Sequence, residues 1–278
     1  MTTPTLTPDL EARLLDTAVT AARAATAHAC KNRHRRLEVA QGFAHDVKLS
    51  LDTECQQIAI AHILARFPDH GILAEESADT SAASTPPSGF EWIIDPIDGT
   101  VNFSHGLPLW CCSIAVRLAG RSVAGAVHAA DFNELYTATQ SGPALCNGAP
   151  LRVSEVADLG HAMVLTGLDQ KINPRGERYG VFHAIADSTQ KTRVMGAAAV
   201  DICRVAAGQA EGYFESGIYT WDIAAAGLVV ERAGGRTETL AALGPHCWCF
   251  MATNGHVHEP LKKVIVAALG CQGSATKH

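Results

Sequence analysis

The order of hydrophobic patterns along the chain predicts a mixed α+β protein. Two helical patterns come first, short β-like runs follow between residues 91 and 146, and strands alternate with helices after about residue 157. With 278 residues the chain can bury a large core, as one unit or as two packed halves. We place a soft boundary near residue 155, so that residues 1–155 and 156–278 are two parts of one compact unit.

The N-terminal part is predicted to begin with two helices. Thr7 is suited to cap the first helix, and Pro8 suits its first turn, where a missing N–H costs nothing. An alanine-rich amphipathic run continues from there to about Lys31. A second helix is predicted from about Asp52 to Phe67, and residues 47–51 between the two helices alternate as a strand does.

An antiparallel meander is predicted for the middle of the chain. Residues 77–89 are rich in Ser, Ala, Thr and Pro and predict a mobile loop ahead of it. The β-like runs are separated by turn residues and lie at 91–94, 109–118, 122–129, 134–139 and 144–146. The helices predicted beyond them are 177–187, 197–208, 222–233 and 259–269, and the tail 271–278 is expected to be disordered.

Composition and charge argue against several classes of function. Apolar residues make up 47% and charged residues 18%, which is ordinary for a globular enzyme. The net charge of −6 gives no basic surface for nucleic acid. No apolar stretch is long enough to span a bilayer and no signal peptide is recognisable, so a cytoplasmic protein without a membrane partner is expected. The nine cysteines lack the spacing of a zinc site and are expected to be buried thiols.

The hexapeptide DPIDGT at residues 95–100 follows an apolar run and combines three chemically useful residue types. Asp95 and Asp98 are hard oxygen ligands, Gly99 allows a close backbone approach, and Thr100 supplies a hydroxyl. The proline keeps the segment extended or turned, so that both carboxylates and the Ile97 carbonyl can converge on Mg²⁺. An Asp-rich turn whose side chains only bond nearby amides is the alternative.

Two other acidic motifs favour the metal interpretation. Glu75 and Glu76 follow an apolar stretch, and Asp222 opens a predicted helix. Each also has an ordinary explanation, because acids cap helices and paired acids occur in solvated loops.

The strings AEES, DPIDGT with a following NF, and WDIAAAGLVVERAGG resemble the signature motifs of the inositol monophosphatase family, within the lithium-sensitive, magnesium-dependent phosphatase superfamily. LPLWCCSIAV, ALCNGAPLRVS and GAAAVDICRVAAGQAEGYFE agree in order and spacing, so the resemblance covers roughly residues 45–255. It implies a five-layered αβαβα sandwich of the inositol monophosphatase and fructose-1,6-bisphosphatase type, a homodimer, and inhibition by lithium.

The resemblance also implies a site with two to three Mg²⁺ ions. Glu75, Asp95 and the Ile97 carbonyl would hold the first ion, and Asp95, Asp98 and Asp222 the second. A third, more weakly bound ion would lie near Glu75 and Glu76, which would contact it through bridging waters. The attacking water would be oriented by Asp52 and Thr100.

Charge favours this arrangement as well. Two carboxylates about 4 Å apart repel by about 4 kcal/mol at an effective dielectric of 20. Bringing together Asp52, Glu75, Asp95, Asp98 and Asp222 would therefore require cations.

The implied reaction is phosphate monoester hydrolysis by a metal-activated water, without a phospho-enzyme. The amides of Gly99 and Thr100 would add an anion site if they start a helix. On the alcohol side the resemblance implies contacts from Asp98, Asp222 and Glu215 and from the helix start Gly196, Ala197 and Ala198. Ala197 and Val101 stand where the family often has a hydroxyl residue. This difference affects the expected choice of substrate and does not affect the expected metal chemistry.

The substrate expected is a small phosphorylated polyol, myo-inositol 1-phosphate first. Fructose 1,6-bisphosphate, histidinol phosphate and 3′-phosphorylated adenosine nucleotides are the alternatives with the same chemistry. An alternative of another class is a non-catalytic regulatory member that keeps the fold and binds a partner.

Overall fold

The computed structural model describes residues 5–42, 47–80, 86, 88–168 and 177–272. Within these ranges the α-helices are α1 (Pro8–Lys31), α2 (Ser50–Leu64), α3 (Thr100–His105), α4 (Glu177–Ser188), α5 (Ala198–Ala206), α6 (Thr220–Arg232) and α7 (His258–Gln272). The strands are β1 (Val39–Gly42), β2 (Val47–Leu49), β3 (Gly71–Ala74), β4 (Phe90–Asp98), β5 (Cys111–Leu118), β6 (Arg121–Ala129), β7 (Glu134–Thr139), β8 (Leu145–Cys146), β9 (Ala149–Pro150), β10 (Met163–Thr166), β11 (Lys191–Arg193), β12 (Gly212–Tyr219), β13 (Arg236–Gly244) and β14 (Cys247–Thr253).

Two larger sheets organise the chain. The first has the order β3-β4-β5-β6-β7-β8-β9, in which β3 and β4 pair in parallel and the other pairs are antiparallel. The second has the order β11-β10-β12-β14-β13, with β10 parallel to both neighbours. β1 and β2 form a separate antiparallel pair. The predicted meander is therefore confirmed, with a parallel edge strand that the sequence pattern did not predict.

Helices cover both faces of each sheet. α1 and α2 pack on one face of the seven-stranded sheet, while α5 and α6 lie between the two sheets. α4 and α7 pack together on the outer face of the five-stranded sheet. The predicted five-layered αβαβα sandwich is confirmed.

The first helix forms as predicted. The Thr7 side chain accepts a hydrogen bond from the amide of Leu10 at 3.3 Å, and the helix ends at Lys31. Its buried stripe consists mainly of alanines, whose small side chains let the helix lie close to the sheet: Ala18, Ala21, Ala22, Ala25 and Ala29.

Several predicted boundaries are wrong: β4 continues to Asp98 instead of ending at 94, α2 ends at Leu64 before the predicted Phe67, and α6 begins at Thr220 before the predicted Asp222. α2 begins at Ser50, two residues before the predicted start, because Asp52 accepts the amide hydrogen of Leu49 from the third helical position, at 2.6 Å. The predicted loop 77–89 opens inside a 3₁₀ helix, Glu75–Thr80. α7 continues to Gln272 beyond its predicted end at 269. Residues 81–85, 87 and 273–278, which belong to the predicted loop and tail, lie outside the described residues.

Within the described ranges, no helix has both the length and the apolarity that crossing a bilayer requires.

Candidate active site

A bulge in β4 turns two carboxylates to the same side of the sheet. Asp95 pairs with Ser113 on β5, and Asp98 pairs with Cys111, so three steps on β4 face two on β5. Because alternate residues of a strand share a face, the extra residue at this proline-containing bulge lets both acids face one way. The Ser113 hydroxyl on that face donates to the Trp221 carbonyl of α6 at 3.1 Å. The two carboxylates therefore face the helices between the sheets.

The third acid comes from α6. Asp222 is the third residue of this helix, and its carboxylate accepts the amide hydrogen of Tyr219 at 2.8 Å. One oxygen from each of Asp95, Asp98 and Asp222 lies within 4.8 Å of the others, in a group that could hold a metal ion. The sheet and the helix thus place acids from distant parts of the sequence together.

Burial and mutual repulsion raise the pKa values of these acids. Burial, and then the charges of Glu75, Asp98 and Asp222, raise the pKa of Asp95 well above its usual value. The pKa of Asp222 is raised well above its usual value by burial and then by Asp98 and Glu75. Burial raises the pKa of Asp98 to about 6, although hydrogen bonds from the Ala199 amide and the Cys111 thiol lower it. Ionising the group as a whole is unfavourable without a cation.

Asp98 also holds the start of α5. Its two oxygens accept the amide hydrogens of Ala198 at 3.1 Å and Ala199 at 2.8 Å. Ala197, before the helix, has no side chain that could cap it. A carboxylate from β4 therefore supplies the cap of a helix in the C-terminal part.

The turn after β4 requires glycine. Gly99 has φ +86°, and a Cβ at this position would lie 2.8 Å from the Leu109 carbonyl oxygen. The following residue, Thr100, begins α3, and its hydroxyl donates to the Ile97 carbonyl at 2.8 Å. The hydroxyl oxygen can still accept a hydrogen bond.

A cavity of about 440 Å³ lies over the acids. Most of the predicted site residues line it: Glu75, Asp95, Ile97, Asp98, Gly99, Thr100, Gly196, Ala197, Ala198, Glu215 and Asp222. Asp52 and Glu76 do not line it. Asp52 is buried at the start of α2, and Glu76 lies 3.3 Å from the Lys48 ammonium in an ion pair.

Glu215 lies against Gly167 on the cavity wall. A Cβ on Gly167 would come within 1.9 Å of the Glu215 carboxylate, so only glycine leaves room for this side chain. The Tyr213 hydroxyl donates a hydrogen bond to the same carboxylate. The wall holds an acid that is fixed by its neighbours.

Several lining residues were missed by the sequence interpretation, among them Gly167, Asp201 and Tyr213. Asp201 is 3% exposed, and burial raises its pKa to about 8, with further raising by Asp98 and Glu215. It is the one acid in the string GAAAVDICRV. An acid within an otherwise apolar helix pattern was the signal that could have identified it.

The acids fit a divalent cation that prefers oxygen ligands. Asp95 Oδ1 is buried and has no hydrogen-bond partner among the residues that the structure describes. A buried carboxylate oxygen without a donor is costly, and a cation beside it would satisfy it. The donor set is made of oxygens, which suits Mg²⁺ better than a thiolate-seeking metal.

Comparison with known proteins agrees with the fold and with the motifs. The sequence model described as "Inositol monophosphatase family" matches residues 10–272. The "Nus factor SuhB" of Pasteurella multocida is 37% identical over 227 residues, which cover 80% of this chain and 83% of that protein. The "Inositol-1-monophosphatase" of Synechocystis sp. is 35% identical over 230 residues, covering 82% of this chain and 79% of the relative.

A solved structure is similar over the same length. The inositol monophosphatase from Anabaena (Nostoc) sp. superposes with a TM-score of 0.80 at 30% identity, covering 92% of this chain and 96% of that one. The expected family and fold are thereby confirmed, and the general phosphatase prediction holds. The chain belongs to the inositol monophosphatase family.

Proposed function

We propose that the chain is a Mg²⁺-dependent phosphate monoesterase that acts on a small phosphorylated polyol, with myo-inositol 1-phosphate as the first candidate. The observation that carries the proposal is the convergence of Asp95, Asp98 and Asp222 in one cavity with Glu75. Residues 1–155 and 156–278 then serve as two parts of one catalytic unit.

The ligand assignment is the one that the family resemblance implies. Glu75, Asp95 and the Ile97 carbonyl would hold one Mg²⁺, and Asp95, Asp98 and Asp222 a second. Glu76 would contribute to a third ion through water. When bound, Mg²⁺ supplies positive charge that lowers the pKa of water and offsets the charge on the phosphate oxygens.

Thr100 and Asp52 are assigned to orient the attacking water, with Glu75 beside them. Since the Thr100 hydroxyl donates to Ile97, its oxygen is left to accept a hydrogen bond from a water. Gly99 and Thr100 are assigned to the phosphate, because the first turn of α3 lines the cavity.

On the alcohol side, Gly196, Ala197, Ala198 and Glu215 would bound the substrate, while Asp98 and Asp222 approach its hydroxyls. A carboxylate at Glu215 suits a polyol, since it can accept hydrogen bonds from hydroxyls. The similarity to a protein named inositol-1-monophosphatase supports this choice.

The substrate is tested with a panel of phosphate esters and Mg²⁺. The panel contains myo-inositol 1-phosphate, fructose 1,6-bisphosphate, histidinol phosphate and adenosine 3′,5′-bisphosphate. We expect the highest kcat/KM for inositol phosphate. Much faster cleavage of histidinol phosphate or of the nucleotide would contradict the substrate assignment.

A regulatory role is the second candidate, because several similar proteins carry the name Nus factor SuhB. It predicts no hydrolysis of any ester in the panel by the folded protein. We also propose a homodimer and inhibition by lithium, which sedimentation and inhibition assays test directly.

A further inference from the structure

Asp201 is a buried acid that the proposed chemistry does not use. It lies in α5, is 3% exposed, and borders the cavity. Its backbone amide bonds to the Ala197 carbonyl at 3.0 Å, as the helix requires. Among the described residues, its carboxyl group has no hydrogen-bond or ion-pair partner.

The surroundings of Asp201 cannot supply the missing donor. Asp98 and Glu215 are acids that act on it by repulsion. Arg204 attracts it, but its guanidinium is hydrogen-bonded to Glu134 and to Tyr136. Asp201 lines the cavity, so a molecule that enters the cavity can supply the hydrogen-bond partner that its carboxyl group lacks.

The side chains around Asp201 and Glu215 indicate which class of molecule could be that partner. The Thr166 hydroxyl donates its hydrogen to the Phe214 carbonyl at 2.6 Å, so it has no hydrogen left to donate to a ligand. Ala197 and Ala198 offer no polar side chain. Asp201 and Glu215 are two carboxyl groups that line this cavity, and each can accept hydrogen bonds from an alcohol. Two acceptors on one wall fit a molecule with more than one hydroxyl.

We propose that Asp201 is a specificity-determining residue, which binds a hydroxyl of the substrate's alcohol part beside Glu215 and so favours polyol phosphates over esters without free hydroxyls. This inference rests on the proposed function, because it concerns the alcohol side of the same cavity. It assigns Asp201 to substrate selection and gives it no part in holding the metal or the phosphate.

The test compares two esters in two variants and a control. Full-length wild type, Asp201→Ala and Asp201→Asn are assayed with Mg²⁺ on myo-inositol 1-phosphate and on phenyl phosphate, which has no free alcohol hydroxyl. Asp187→Ala is the control, because Asp187 is an exposed helical aspartate that does not border the cavity.

The measured quantity is kcat/KM for the inositol ester divided by kcat/KM for the phenyl ester. We expect Asp201→Ala to lower this ratio by about ten-fold or more, because KM for the inositol ester rises. Asp201→Asn retains a hydrogen-bonding oxygen and should recover part of the ratio. The control should keep the wild-type ratio. A ratio within two-fold of wild type in Asp201→Ala, or an equal fall on both esters, would overturn the inference.

The proposed function can fail separately. If the wild type cleaves neither ester, the inference is tested by calorimetry with myo-inositol in the presence of Mg²⁺ and inorganic phosphate. About ten-fold weaker binding by Asp201→Ala than by wild type supports it. Equal affinity, or no binding by the wild type, overturns it.

Discussion

The carboxylate of Asp98 accepts a 2.8 Å hydrogen bond from the amide of Ala199, which lies 101 residues further along the chain. Asp98 ends a strand of one sheet, and Ala199 is the second residue of a helix that packs between both sheets. One side chain thereby links the acid cluster to the cavity wall that is proposed to face the alcohol part of the substrate. The proposed metal ligands and this wall are fixed relative to each other.

This link predicts a loss of stability in Asp98→Ala. The substitution removes the acceptors of two amides at a buried helix start, so we expect the free energy of unfolding to fall by about 1–3 kcal/mol. Urea denaturation without added metal measures it at about pH 4, below the folded-state pKa of Asp98 of about 6, where repulsion within the acid cluster does not offset the loss. Asp187→Ala, the exposed control, should change the value by less than about 0.5 kcal/mol. Equal stability of Asp98→Ala and wild type would contradict the capping role.

The neighbouring glutamates should differ in their contribution to metal binding. Glu75 borders the cavity, and its charge acts on Asp95, whereas Glu76 is paired with Lys48. We expect Glu75→Gln to weaken Mg²⁺ binding by about ten-fold or more, and Glu76→Gln by a smaller factor. Calorimetric titration with Mg²⁺ measures both. A larger effect at Glu76 would contradict this ranking.

Gly167→Ala should move Glu215 without unfolding the protein. The added methyl group would overlap only the end of a flexible side chain, so that side chain must turn away. We expect KM for the polyol ester to rise several-fold, with the thermal midpoint close to that of wild type. Steady-state kinetics and thermal unfolding test this together. An unchanged KM would show that the position of Glu215 is unimportant.

Asp201→Asn should stabilise the protein more at alkaline pH. Burial raises the folded-state pKa of Asp201 to about 8, above its unfolded value of about 3.8. Between these two pKa values the folded state keeps a proton on Asp201 that the unfolded state has lost. The free energy of unfolding therefore falls as pH rises from about 4 towards 8. We expect the variant to gain at least about 2 °C in thermal midpoint at pH 9 and less at pH 6. An equal gain at both pH values would contradict the assigned cause.

Local patterns in the sequence were sufficient for the longer helices and for the motif that carries the acids, whereas the short helix α3 was not predicted. Thr7 and Pro8 mark the start of α1 because a helix cap depends on neighbouring residues. The hexapeptide at 95–100 can be recognised from the sequence as a candidate metal-binding motif, because its residue types lie close together in the chain. Family resemblance then joined it to Glu75 and Asp222.

Contacts between residues that are distant in the sequence could not be predicted from local patterns. The β4 bulge depends on the register with β5, and the packing of Glu215 on Gly167 joins residues from different strands. Asp201 was missed because a helix pattern does not reveal which side faces a cavity. Each of these features is set by tertiary packing, which local propensity does not encode.

The most direct test of the account measures Mg²⁺-dependent hydrolysis of myo-inositol 1-phosphate by wild type, Asp95→Asn and Asp222→Asn, with folding of each checked by circular dichroism. We predict that chelation with EDTA stops the wild-type reaction and that added Mg²⁺ restores it. Each variant should stay folded and lose activity by at least about 100-fold, because a ligand charge is removed from the centre of the cluster. Full activity in either folded variant would contradict the two-metal site.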